Sequence, residues 1–254
     1  MELLWMSLAS MLAGFVDSIV GGGGLILVPA LFAAYPAAHP ATLLGTNKSA
    51  SVWGTAFASW QYARKVQLRW SALAPAIALS AIGSFAGAWA ITLISSRFLR
   101  LCLPFVLIGL LIYTLVKKDM GRNHAPRFAG QQEALVAGVI GLGIGFYDGF
   151  FGPGTGSFFV FLCVRWLGYD FLNASACAKL LNLASNSAAL VLFSFKGHVW
   201  WHFALVLVLA NVAGSLLGTF LALKHGAGFV RVAFILVVSA LILKTGFDAF
   251  LRQA

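Results

Sequence analysis

The sequence predicts an all-α polytopic membrane protein made of two homologous halves. Hydrophobic residues make up 61% of the 254-residue chain and charged residues 9%, with a mean hydropathy of +0.92, which is the composition of an integral membrane protein. The apolar residues form long runs, several near the ~20 residues that cross a bilayer as helix. The plan of the first half then recurs 131 residues later without a gap. Asp17 falls on Asp148, Lys48 on Lys179, Lys65 on Lys196, Trp70 on Trp201, Gly83-Ser84 on Gly214-Ser215, Gly87 on Gly218 and Arg100 on Arg231. Agreement at so many rare residue types in one register points to internal duplication. The expected organisation is a first membrane repeat at 1–116, a polar linker at 117–130 and a second repeat at 131–254.

The first repeat opens with an apolar run from Leu3 to Val20, broken by Gly21 to Gly24. Glu2 stands where a signal peptide would carry positive charge, and the stretch recurs inside the chain, so it reads as structural. A short run, Leu25 to Tyr35, ends at Pro36 and Pro40; then come Ala41 to Ala63, Trp70 to Ile94 and Phe98 to Val116. The second repeat has Ala134 to Phe151, a Gly-Pro-Gly break, Phe158 to Leu167, Leu172 to Phe195, Trp200 to Leu223 and Phe229 to Phe250. Eight to ten helices follow, depending on how the broken pairs are counted. If each broken pair crosses twice or not at all, a repeat crosses an odd number of times and the halves are inverted. If it crosses once, they are parallel. The absence of Lys or Arg before Lys48 fits an external N-terminus and leans towards inversion.

The net charge of +10 sits in the links, at Arg64-Lys65, Arg69 and Lys117 through Arg127. That is a positive-inside pattern with a cytoplasmic linker, and it argues against nucleic acid as a partner. Cys102, Cys163 and Cys177 sit singly in apolar runs and read as small membrane-helix residues. The five histidines are scattered and form no metal cluster, and no cofactor motif stands out. Trp70, Trp200 and Trp201, at run starts, read as interface anchors.

The chemistry gathers at the breaks. Helix cannot run smoothly through Gly21–Gly24 or through Gly152-Pro153-Gly154. Broken backbone in lipid must be satisfied by protein or by a wet cavity, and matched breaks in two halves point to a transporter's binding site. Asp17, Lys48, Asp148 and Lys179 lie inside the apolar runs, where charge is costly and usually faces a cavity or a partner. Asp17 and Asp148 read either as ion-pairing residues beside the breaks or as proton carriers. Lys48 follows Thr46-Asn47 and has Ser51 and Thr55 at helical spacing; Lys179 has Asn182 and Asn186 at the same spacings. The plain alternative is that Lys48 snorkels to the interface, ~10 Å along the helix from Ala41. The sharper reading is an anion site. It is completed by backbone N–H groups of the half-helix starts, at Gly23 and Gly24 in one half and at Gly154, Thr155 and Gly156 in the other.

At these residues the chain resembles the sulfite exporter TauE/SafE family of bacterial membrane permeases, in particular its YfcA-like branch. The motifs are Gly14-Phe15-Val16-Asp17-Ser18-Ile19-Val20-Gly21-Gly22-Gly23-Gly24 and Gly45-Thr46-Asn47-Lys48 in the first half. In the second they are Gly145 through Gly156 and Lys179-Leu180-Leu181-Asn182-Leu183-Ala184-Ser185-Asn186. The resemblance implies a multi-pass carrier of the bacterial inner membrane for sulfur-containing anions such as sulfite or sulfonates. Cys177-Ala178 precedes the second lysine where a small hydroxyl residue is expected, an asymmetry between the two lysine sites. The expected function is secondary transport of a small anion, coupled to protons if Asp17 or Asp148 carries them. A passive anion channel of the same residues is the first alternative; an intramembrane enzyme and an assembly factor rank below it. A homo-oligomer is compatible with the sequence.

Overall fold

The structure, a computed structural model, describes residues 2–94 and 124–251. The run Phe98 to Val116, with Arg100 and Cys102, and linker positions 117–123 lie outside the described residues. The chain forms α1 (Glu2–Val20), α2 (Gly24–Ala34), α3 (Pro40–Ala63), α4 (Trp70–Thr92), α5 (Gly130–Phe150), α6 (Thr155–Leu162) continued by a π-helical turn (Cys163–Leu167), α7 (Phe171–Phe195) and α8 (Trp201–Leu251). Gly226, at φ 71° and ψ −163°, breaks α8 into two segments. Among the described residues five helices are long and apolar enough to cross a membrane: α1, α4, α5, α7 and the first segment of α8. Helix α3 is as long, 24 residues, and carries the polar patch around Lys48.

Local chemistry sets the helix ends. His39 Nδ1 accepts a hydrogen bond from Ala41 N ahead of α3, with Pro40 in the first turn. The Asp170 carboxylate caps α7 by accepting from Leu172 N and Asn173 N, at 2.8 and 2.9 Å. Helix α5 begins at Gly130, ahead of the apolar run, and Glu133 is buried in its first turn.

Buried clusters fix the directions of the helices. Met6, Leu43 and Leu207, near the starts of α1, α3 and α8, pack together, so these three run the same way. Tyr62, at the end of α3, packs with Leu73, Ala137 and Ala174 near the starts of α4, α5 and α7. Ala41 and Leu44, at the start of α3, pack with Ile91, Phe151 and Phe193 at the other ends of that set. Helices α4, α5 and α7 therefore run opposite to α3. Helix α1 is antiparallel to α5, its counterpart at the 131-residue offset. Helix α2 doubles back, since Leu27 and Leu31 rejoin Met6; α6 doubles back likewise, bringing Cys163 and Leu167 to Ala137. Each broken pair thus makes no net crossing, which is the inverted arrangement.

The packing is reciprocal under the same offset. Helix α4 packs chiefly on α5 of the other half, and the first segment of α8 chiefly on α1. The close approach uses glycine: a Cβ on Gly83 or Gly87 would strike backbone of Leu142 or Phe146, and one on Gly214 or Gly218 backbone of Met11 or Phe15. Ser84 Oγ donates to Ser185 O and Ser215 Oγ to Gly54 O, each at 2.6 Å. The outward faces carry Trp5, Leu8, Ile82, Trp89, Leu135, Leu205 and Leu209 exposed, an apolar perimeter suited to lipid. Trp70 and Trp201 are exposed at helix starts. Trp200, by contrast, is half-buried with its ring edge-on to Tyr35 at 5.2 Å, so it packs in a helix junction and does not anchor at the interface.

Candidate functional site

The two breaks meet inside the bundle. Helix α1 ends where Gly21 takes φ 80°, with Gly21 N closing the last turn on Asp17 O at 2.8 Å. Helix α5 ends in Gly152 and Gly154, at φ 89° and 79°, braced by Tyr147 Oη donating to Pro153 O at 2.7 Å and Thr155 Oγ1 to Gly152 O at 2.8 Å. Ser157 joins the segments: its N donates to Gly21 O at 3.0 Å and its Oγ to Val20 O at 3.1 Å. Gly21 and Gly156 touch so closely that a Cβ on either would strike the other's backbone.

The buried charges stand around this crossing. Lys48 on α3 and Lys179 on α7 are 2% and 1% exposed, which removes the snorkelling alternative. Lys48 Nζ lies 2.5 Å from Asp148 Oδ1, with both side chains buried. Lys179 Nζ donates to the backbone carbonyl of Asp17 and lies 3.9 Å from Asp17 Oδ2. Each lysine thus answers an aspartate of the other half. Asp17 also spans its own break, accepting from Gly23 N and Thr55 Oγ1, both at 3.3 Å. Of the two readings of Asp17 and Asp148, the structure displays ion pairing beside the breaks. Each ammonium is met by a carboxylate, because an unpaired buried cation costs far more than a paired one.

The remaining expected site residues divide. Gly23 caps α2 and Gly24 begins it, a Cβ on Gly24 lying 3.3 Å from Gly152 O. Gly154 caps α6 and Thr155 begins it, one residue before Gly156. Asn47, Asn182 and Asn186 are buried on α3 and α7, and Ser51 is half-buried one turn beyond Lys48. Among the described residues, nothing donates a hydrogen bond to Asn47 Oδ1, Asn182 Oδ1 or Asp148 Oδ2. Thr46 does not join this set. Its hydroxyl donates to Thr42 O at 2.7 Å and accepts from Trp200 N at 3.1 Å, tying the starts of α3 and α8.

Three features escaped sequence reasoning. Glu133 is buried and accepts from Tyr169 Oη at 2.5 Å and Arg69 Nη1 at 3.1 Å; its signal was a carboxylate at the lip of an apolar run. Burial, with this bond to Glu133, pushes the Tyr169 hydroxyl pKa well up. His39 and His198 stack at 5.0 Å, with His198 Nδ1 3.1 Å from Thr42 Oγ1. Cys163 and Cys177, read as isolated, place their sulfurs 3.5 Å apart. Among the described residues no group of three or more His, Cys, Asp or Glu could hold a metal ion.

Inverted broken helices crossing at buried lysine–aspartate pairs define a polytopic membrane protein of the transporter class. Residues 6–245 match the family model described as "Sulfite exporter TauE/SafE", and the chain belongs to that family. It is 36% identical over 241 residues to "Probable membrane transporter protein YfcA" of Escherichia coli (strain K12), covering 94% of this chain and 88% of the relative. It is 36% identical over 247 residues to "Probable membrane transporter protein ORF9" of Sinorhizobium sp, covering 95% and 91%. A "Probable membrane transporter protein" of Haemophilus influenzae is 35% identical over 223 residues, covering 86% and 84%. No solved structure matches. The chain is a membrane transporter of this family and not an enzyme.

Proposed function

We propose that the chain is a secondary transporter of small anions, with sulfur oxyanions and organosulfonates as the substrate class. The observation that carries this reading is the pair of buried lysines, each facing an aspartate of the opposite half across the broken helices. A buried ammonium offsets the large cost of taking an anion out of water. Because the carboxylates already neutralise the lysines, an incoming anion has to exchange with one of them. The released carboxylate, Asp17 or Asp148, is then the proton carrier. Anion and proton are held together and cross in the same direction. Lys179 is the first exchange point: its carboxylate contact is 3.9 Å, against 2.5 Å at Lys48. The amides of Asn182 and Asn186 and the half-helix starts at Gly24 and Thr155 complete the recognition. Sulfur chemistry is favoured by the family's description as a sulfite exporter.

The protein sits in the bacterial inner membrane with several crossings. Arg64, Lys65, Arg69, Arg127, Arg165 and Lys224 lie at the end of the bundle where Tyr62 packs, and Lys196 at the opposite end. The basic end is therefore cytoplasmic. The test is thermal-shift screening of sulfite, sulfonates, sulfate and carboxylates, followed by titration of folded variants. Lys179→Ala should abolish binding, and Lys179→Arg should bind poorly because a planar fork does not replace a compact ammonium. Binding at wild-type affinity in Lys179→Ala would overturn the reading. Accumulation of the anion in vesicles driven by a proton gradient separates a transporter from a passive channel.

A further inference from the structure

Cys163 and Cys177 belong to different segments and have no part in the reading above. Cys163 opens the π-helical turn at the end of α6, and Cys177 lies nearly two turns inside α7. Their sulfurs are 3.5 Å apart and both side chains are free thiols buried in one cluster. A disulfide bond is ~2.05 Å long, so the two sulfurs must approach by ~1.5 Å. Cys177 also lines a small, partly open cavity of about 20 Å³, whose wall carries Gln67, Arg69, His124 and Asn173 among apolar residues. Cys177, 3% exposed, is the member of the pair on the cavity wall, and Cys163 lies fully buried behind it.

We propose that Cys163 and Cys177 are a modification site: a dithiol that hydrogen peroxide entering this cavity converts to a disulfide, pinning α6 to α7. The Cys177 sulfur attacks one peroxide oxygen, the O–O bond breaks, and water leaves a sulfenic acid behind. The Cys163 sulfur then attacks the sulfenic sulfur; its S–O bond breaks and a second water leaves. The two thiols supply two electrons and two protons, and one peroxide becomes two waters. The bond ties the arm that starts at the Gly154 break to the helix carrying Lys179, two residues beyond Cys177.

The experiment uses the full-length protein in detergent micelles, exposed to hydrogen peroxide, denatured and alkylated. Of its three cysteines, two should lose alkylation. A Cys163–Cys177 cross-linked peptide should appear in the mass spectrum, and the melting midpoint should rise, all reversed by dithiothreitol. In Cys163→Ser, dimedone should instead trap a sulfenic acid on Cys177. The wild-type measurement stands alone if that variant fails to fold. Full alkylation after peroxide, a link to Cys102 or between molecules, or sulfinic acid on Cys177 without a link would each overturn the proposal. So would a disulfide that leaves the melting midpoint unmoved.

Discussion

Replacing Asp148 by Asn removes one charge from the Lys48 pair while keeping nearly the same shape. At 2.5 Å, the gross attraction at an effective dielectric of about 20 is ~6–7 kcal/mol. Desolvation of two ions offsets much of it, so the pair's net worth is small. Removing one partner leaves the other buried and uncompensated, at ~3–5 kcal/mol. Asp148→Asn and Lys48→Met should therefore each destabilise by that amount. The double variant should lose far less than their sum, a coupling of ~3 kcal/mol. The parallel cycle at Lys179 and Asp17 should couple more weakly. That carboxylate is 3.9 Å away and 15% exposed, and the bond from Lys179 to the Asp17 carbonyl survives the substitution. The assay is unfolding of all variants in mixed micelles by denaturing detergent. Additivity within ~0.5 kcal/mol at Lys48–Asp148, or stronger coupling at Lys179–Asp17, would refute the reasoning.

Gly156→Ala should cost ~1–3 kcal/mol by overpacking, because its Cβ meets Gly21 backbone. Gly143→Ala on α5, with no described residue within 4 Å of the new methyl, should stabilise by ~0.5–1 kcal/mol; unfolding midpoints compare the two. Burial, the stacked His39 ring and Lys196 hold the His198 pKa below the ordinary value. The unfolded chain then binds the extra proton first. This contribution is full above about pH 6.5 and is lost as pH falls through the folded pKa. His198→Gln should flatten the melting temperature against pH in that acid range; an unchanged slope rejects it. Membrane-impermeant labelling of single cysteines at Gln67 and Gly197, in a cysteine-free background, should report opposite faces; labelling from one side would reject the inverted arrangement.

Much of this arrangement was legible because membrane burial makes polar residues rare. Four charges inside apolar runs and two glycine breaks pointed to the site, and the offset tied them into corresponding sets. Their pairing was not legible. Lys48 and Asp148 lie in different halves, and no helical period links them. Thr46 read as a site residue because it adjoins Asn47 and Lys48, but neighbours on a helix face different directions, and its hydroxyl turns to Trp200 N. Cys163 and Cys177 meet only because α6 doubles back, so their spacing along the chain carried no hint. Helix ends fared better, since Pro40 and the glycines act locally.

The interlocked packing of α1 on α8 sets a timetable for synthesis. Ser10 O and Asn211 Nδ2, joined at 3.2 Å, are 201 residues apart. At ~5–20 residues per second, α1 waits ~10–40 s in the membrane before that partner emerges. Throughout that interval the small-residue face around Ser10 and Gly14 has only lipid or the insertion machinery to rest against. Assembly therefore finishes from the first helix and the last ones together, and a ribosome that stalls before α8 leaves an unclosed bundle for quality control to clear.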